Sequence, residues 1–385
     1  MSTSLEFDLA PKVSMTFNIT TFNETLNNAT TDIPVWNSSS SLFLFVCIVG
    51  AVGNGATLLL ILTDRRLRIA PFHVYVINLL FTNFASSLMQ YPFAVYISLY
   101  DRHDGIIRWY LGKPTCDFYM TVEDFTSAGV MTSHTFMAFT RFWAIMFPLS
   151  FRNHHTLRFA CIITGVLWLL TCATVGLFAA LGVYFRQDVD NKGCFFVSYP
   201  DYPGLLVYGT IVTAVMYGLP MIFMVGSIPV IIAIKVRKSR AAHRRITDAR
   251  EQPVPPIVGT GRHIGVVIGE PRPPGERPAG RPLAARTEEQ ARLRHQNRDA
   301  FATLVLLTSS VTIFCGPLTG CMLLTTILPS FWDQTWYEVG LHMYALQSVC
   351  DPFLFVWALV PLRRAFNAII LRWRGREIRV QQAAQ

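Results

Sequence analysis

Glu123 and Asp124 are two consecutive acids inside an otherwise apolar stretch, about two turns past Cys116. A carboxylate in hydrocarbon is costly, so acids at membrane depth face a cavity or the interior of a bundle. Their chemistry is that of a counter-ion. The counter-charge is either the amine or guanidinium of a ligand or a group on a neighbouring helix, such as His342. Arg141 lies 25 residues beyond Cys116, which along a helix is roughly 37 Å. The two residues therefore mark opposite faces of one membrane. A cation at the inner helix end is a candidate contact for an intracellular partner, or a side chain that snorkels to the interface. The eight cysteines contain no Cys-x-x-Cys. Neither a zinc centre nor a redox motif is supported, and no metal, cofactor or catalytic residue is expected.

The elements that must hold these residues are membrane helices. Hydrophobic residues make up 52% of the 385 and charged residues only 15%. Soluble proteins carry roughly 25% charge, so a soluble enzyme is the least supported class. Runs of about twenty apolar residues predict helices near 40–63, 72–98, 115–147, 158–183, 204–236, 299–328 and 337–359. The third is the most polar of these. The expected fold is an all-α membrane protein, a seven-transmembrane helix bundle with a short amphipathic helix after the seventh. That last helix follows from Arg363, Arg364, Phe366, Ile369, Ile370 and Leu371 recurring at helical spacing, a pattern suited to the lipid interface.

Two signals set the orientation. Asn18, Asn23, Asn28 and Asn37 open the four Asn-x-Ser/Thr patterns of the chain, all before the first helix, which predicts a glycosylated, extracellular N-terminus. Arginines and lysines crowd the alternate connections: Arg65, Arg66 and Arg68; Arg152 and Arg158; Lys235, Arg237, Lys238 and Arg240. They place those connections in the cytoplasm. The net charge of +9 is thus a membrane signal, and no nucleic-acid partner is expected. The chain then divides into an extracellular tail (1–40), five helices (41–237), a cytoplasmic loop (238–298), two helices (299–360) and the amphipathic helix with its tail (361–385). Within the loop, Gln252–Pro282 is rich in Pro, Gly and Arg and is expected to be disordered, while Thr287–Asp299 is helix-compatible.

Each predicted helix carries a marker: Gly50-Ala-Val-Gly53-Asn54, Asn78-Leu-Leu-Phe-Thr-Asn83 with Pro92, Thr140-Arg141-Phe142, Trp168, Pro220, Phe314-Cys315-Gly316-Pro317 and Asp351-Pro352-Phe-Leu-Phe355. Trp109-Tyr-Leu-Gly112 precedes the third. In this order and spacing the chain resembles the rhodopsin-like family of G-protein-coupled receptors, from about Ser41 to Trp373. The resemblance implies a plasma-membrane receptor for an extracellular ligand, coupled to a heterotrimeric G protein through Arg141, Arg152 and Arg158, with membrane lipids around it. It implies a Cys116–Cys194 disulfide, which two cysteines on the oxidising face also favour. It implies a polar switch of Asn54, Asn83, Asp351, Pro317, Cys315 and Phe355, and a ligand site of Glu123, Asp124, Met120, Phe93, Met216, Leu318 and His342.

The departures from the family pattern matter as much. Thr140 stands where an acid usually pairs with the Arg. Asn83 and Asp351 exchange the usual acid and amide. Cys315 replaces a tryptophan and Phe355 a tyrosine. Ala345 holds the position of the retinal lysine, which excludes light sensing. Val212 and Met216 lack the hydroxyls of catechol sites, and Cys194-Phe-Phe-Val-Ser-Tyr-Pro suits a hairpin lid. Both features favour a peptide ligand with a cationic group. A non-signalling scaffold or decoy, and a transporter or channel, are the competing classes.

Overall fold

The computed structural model of the chain describes residues 34–100, 109–185, 194, 203–251, 283–328, 331 and 333–383. Among these residues the ordered structure is helical, with no strand. Seven long helices form the bundle. α1 is Ser38–Thr63; α2 is Pro71–Met89, continued by Tyr91–Tyr100; α3 is Lys113–Met146. α4 is Leu157–Thr171 and Leu177–Phe185, joined by a π-helical turn at Cys172–Gly176. α5 is Pro203–Thr213 and Leu219–Glu251, joined by a second π-helical turn at Ala214–Gly218. α6 is Leu283–Ile327 and α7 is Gln334–Ala358. α8, Val360–Ala383, leaves α7 at 94°.

Helix ends follow local chemistry. Asn37 caps α1 by accepting from the Ser40 backbone N–H at 2.8 Å, and its own amide donates to Ser98 O at 2.7 Å. This acceptor asparagine is therefore engaged as a cap, whereas Asn18, Asn23 and Asn28 lie outside the described residues. Pro71 occupies the first turn of α2, where its missing N–H has no helical partner to lose. Gly112 precedes α3 with φ +80°, a backbone conformation open to glycine, and Trp109 Nε1 donates to its carbonyl at 2.9 Å. Asp333 caps α7 by accepting from the Trp336 N–H at 2.7 Å.

Among the described residues, five helices are long and apolar enough to cross a membrane, or six if α7 and the first part of α8 count as one bent span. α3 falls below that threshold, as its polarity in the sequence predicts. It lies inside the bundle, and its polar groups bond inward. Asn78 of α2 donates to Ser133 of α3 at 2.6 Å and accepts from Trp168 Nε1 of α4 at 2.7 Å. Large apolar side chains such as Ile48, Val52, Leu59, Ile162, Leu169 and Ile222 face outward, an arrangement suited to hydrocarbon.

α5 continues to Glu251 and α6 begins at Leu283. Residues 238–251 and 283–298, assigned to the cytoplasmic loop in the sequence, are thus helical extensions of their neighbours. Helix formers such as Ala, Glu, Gln and Arg dominate both stretches, and propensity over such a window outweighs the lack of an apolar face. The expected disorder of Gln252–Pro282 falls outside the described residues.

α6 and α7 meet closely at Gly340. A Cβ there would stand 2.8 Å from Leu318 N and 2.9 Å from Leu318 Cα, and backbone atoms yield only by moving the helices apart. Gly340→Ala is expected to destabilise the protein by ~1–3 kcal/mol. Gly165→Ala, where nothing lies within 4 Å, is expected to leave stability unchanged or slightly raised. Thermal unfolding midpoints of the two purified variants check this, and equal midpoints would refute the close packing.

Candidate functional site

Three sites lie along the bundle axis. At the outer end, α3 to α7 enclose a cavity of about 460 Å³. Glu123 and Asp124 line it, with Ser127 and Met131 below them on α3. Glu123 and Met131 are eight residues apart, so the wall descends roughly 12 Å. Tyr217, Tyr337 and Tyr344 face the same space from α5 and α7, and Cys315 and Leu318 from α6. Among the described residues the lining contains two carboxylates and no Lys, Arg or His. Tyr119 lies one turn before Glu123 on α3, close enough to interact with its carboxylate. The two π-helical turns shape the far wall. Tyr208 donates to the Thr174 carbonyl at 2.9 Å, and Val175 from one turn and Tyr217 from the other line the cavity.

The Cys116–Cys194 disulfide is formed and closes this end. Beneath it Trp109, Tyr119, Met120 and Phe93 pack as one cluster. Met120 and Phe93, placed at the ligand site by the sequence, therefore belong to the packing under the disulfide. Two further residues also lie off the cavity. Met216 is in the second π-helical turn, whose extra residue turns it toward α4, where Thr174 contacts its sulfur at 3.9 Å. His342 packs on Phe43 of α1 with ring centroids 5.3 Å apart, and the residue beside Glu123 is Tyr119. Glu123, Asp124 and Leu318 of the expected set do line the cavity.

The second site is the polar centre. Asp351 is fully buried. Asn83 Nδ2 of α2 donates to its Oδ2 at 2.8 Å, and Gln347 Nε2, one turn earlier in α7, to its Oδ1 at 2.5 Å. His134 Nε2 of α3 lies 3.2 Å from Oδ2 and 3.3 Å from Gln347 Nε2; with its hydrogen on Nε2 the ring donates to the carboxylate. His134 Nδ1 is buried without a partner. Asn54 of α1 ties the same region down by donating to Gly50 O and Ser348 O, both at 2.8 Å. His134 and Gln347 were missing from the sequence expectation. The available signal was a pair of polar residues in apolar helices, one of them a turn before Asp351. Phe355 is fully buried in the inner core, and Cys315 is buried at the cavity floor with Pro317 just above it inside α6.

The third site is the inner end of α3. Arg141 Cζ stands 3.5 Å from the centre of the Phe72 ring. Thr140 is buried and its hydroxyl donates to Met137 O of its own helix at 3.0 Å. Among the described residues Arg141 forms no salt bridge, and its Nε is buried without a hydrogen-bond partner. Next to it His155, in the connection after α3, stacks on Phe151 with centroids 4.3 Å apart and meets Trp143 and Tyr75 edge-on or tilted. Burial, and then the Arg141 charge, lower its pKa to about 4, so its ring is neutral at pH 7. Arg152 and Arg158 are exposed on the same side.

The family model described as 7 transmembrane receptor (rhodopsin family) matches residues 53–355. The chain is 21% identical over 201 residues to the 5-hydroxytryptamine receptor 1A of Xenopus laevis, covering 52% of this chain and 47% of that one. It is 22% identical over 232 residues to the octopamine receptor beta-2R of Chilo suppressalis, covering 57% and 55%. It is 23% identical over 216 residues to the somatostatin receptor type 2 of Sus scrofa, covering 54% and 55%. The chain thus spans about half the length of these curated relatives.

Removing Asp351 strands three donors in a dry interior. Asp351→Ala is expected to cost ~3–5 kcal/mol, whereas His134→Leu, which leaves the carboxylate two donors, is expected to cost ~1–2 kcal/mol. Thermal unfolding of both variants measures this, and an equal or inverted order would contradict a carboxylate-centred network.

Proposed function

The chain belongs to the rhodopsin family of seven-transmembrane receptors, and from that membership we propose that it binds an extracellular cationic ligand and activates a heterotrimeric G protein. It is a receptor and not an enzyme. The observation that carries the reading is the outer cavity, lined among the described residues by two carboxylates, three tyrosines and no basic side chain. A charged amine or guanidinium entering it would gain both carboxylates in a low-dielectric site, and tyrosine rings favour cations as well. An anionic ligand would meet only repulsion.

The volume of about 460 Å³ is in the range of small-molecule sites. It accommodates a small amine or the basic end of a peptide. The sequence preference for a peptide draws on Val212 and Met216, which lack hydroxyls, and on Cys194-Phe-Phe-Val-Ser-Tyr-Pro, of which Cys194 alone lies among the described residues. The positive charge is therefore the chemical commitment of the proposal. Relatives named for amines and for a peptide both occur among the matches.

The plasma-membrane orientation, N-terminal side outside, draws support from the disulfide. Cys116 opens α3 at the end where Asn37 meets Ser98, and such a bond forms in an oxidising compartment. Asn37, the acceptor asparagine among the described residues, is at that same end. The inner end then offers Arg141, with Arg152 and Arg158 exposed, to the G protein. Ligand binding would bias the bundle between two states, with Pro317 as the hinge of α6.

The test is ligand-stimulated nucleotide exchange on each G-protein class in membranes with verified surface expression, using panels of small amines and basic peptides. Glu123→Gln with Asp124→Asn is expected to weaken the potency of a cationic agonist on the order of 30-fold or more. Wild-type potency in that double variant would refute the carboxylate site. No exchange with any class would refute the receptor reading and leave the scaffold or decoy alternative.

A further inference from the structure

The inner end of α3 presents an unusual problem: a partly buried guanidinium, its Nε fully enclosed, with no acid paired to it among the described residues. Thr140 satisfies its own helix, and the salt bridges among the described residues lie elsewhere, at Lys113–Asp117 and His134–Asp351. What Arg141 does have is the face of Phe72, 3.5 Å from its Cζ. A ring attracts a cation through its quadrupole, and the attraction grows as water is removed. At this position the Nε is shut off from water.

The ring is itself held. Pro71 starts α2 immediately before it. Tyr75, one turn on and 2% exposed, packs edge-on against Phe72 with centroids 6.4 Å apart. Tyr75 in turn contacts Phe136 of α3 and His155 of the following connection, with centroids at 6.1 and 5.9 Å. Phe72 is thus fixed by α2, and Tyr75 links it to α3 and to the segment after it. Its neighbour His155 adds no counter-charge, because its ring is neutral.

We propose that Phe72 is the positioning residue that restrains Arg141 in the resting bundle, its ring face serving where an acidic side chain would otherwise pair with the guanidinium. The consequence for signalling rests on the receptor reading above; the contact itself does not. Resting and active states differ by whether Arg141 is engaged inside the bundle or free for an intracellular partner. A desolvated cation–ring contact shifts such an equilibrium by on the order of tenfold. The absence of an acid at Thr140 alone predicts high basal activity; the ring reduces it.

The experiment replaces Phe72, in the full-length protein, by 4-fluoro-, 3,5-difluoro- and 3,4,5-trifluorophenylalanine. Fluorine drains the ring face of negative potential with little change in shape, so packing alone is not altered. Basal nucleotide exchange, normalised to surface expression, is expected to rise stepwise with fluorine number. It should approach the level of Phe72→Leu, on the order of tenfold, while Phe72→Tyr and Phe72→Trp stay near wild type. A flat series in a protein that still responds to ligand overturns the restraint. A second readout needs no G protein: the fluorine resonance of 4-fluorophenylalanine at position 72 is expected to move on Arg141→Met. An unmoved resonance overturns the contact. If no form of the protein drives exchange, the receptor reading fails, and the resonance still decides whether Arg141 sits on the ring.

Discussion

A carboxylate with no exposed surface needs N–H groups from several directions, and Asp351 obtains them from three helices. Asn83 brings α2, His134 brings α3 and Gln347 adds the preceding turn of α7. Directional bonds to one charge fix the rotation of each helix about its axis. Apolar packing inside a membrane does this poorly, because lipid tails are as apolar as the side chains they would replace. With α2, α3 and α7 oriented, Glu123 and Asp124 must face the cavity above and Arg141 must come to the inner edge below. All three lie on the same helix as His134. The geometry of both ends therefore depends on the polar centre.

The exchange of acid and amide between α2 and α7 keeps the charge of that centre and moves its position. The carboxylate sits in α7, directly before Pro352, which lies within the helix. Its charge thus adjoins the region where α7 lacks a regular hydrogen bond. The floor of the ligand cavity lies close by. Cys315 lines the cavity and is buried. A thiol in place of a large indole opens depth below the acids. It also leaves the hinge at Pro317 without a bulky lever. Leu318 and Cys315 of α6 therefore line the cavity directly.

Charge is arranged with the same economy from end to end. Among the described residues the outer cavity is lined by acids without bases, and Arg141 at the inner end has no salt bridge. Its restraint is aromatic at the inner end, and a tyrosine lies beside Glu123 at the outer one. Both contacts are weaker than a buried ion pair, so a partner of the right charge can displace them.

Much of this was legible in the residues alone. Apolar runs of membrane length and markers in every helix set the order of the seven helices. Those signals are local, since they depend on how each segment meets lipid. The Cys116–Cys194 bond, the pairing of Asn83 with Asp351 and the exposure of Glu123 and Asp124 to a cavity followed from that order. Other features were decided only by tertiary structure. Met120, Phe93, Met216 and His342 were assigned to the ligand site by helical position, yet a π-helical turn rotates Met216 away and the aromatic cluster under the disulfide absorbs Met120 and Phe93. Helix rotation and an extra residue in a turn do not register in hydropathy. His134, Gln347 and Phe72 were overlooked because their roles exist only opposite residues far away in the chain. The sequence determined which helices exist and which charges they carry into the membrane; the packing decided which side chains those charges meet, because contact between helices depends on rotation and depth, which no single segment encodes.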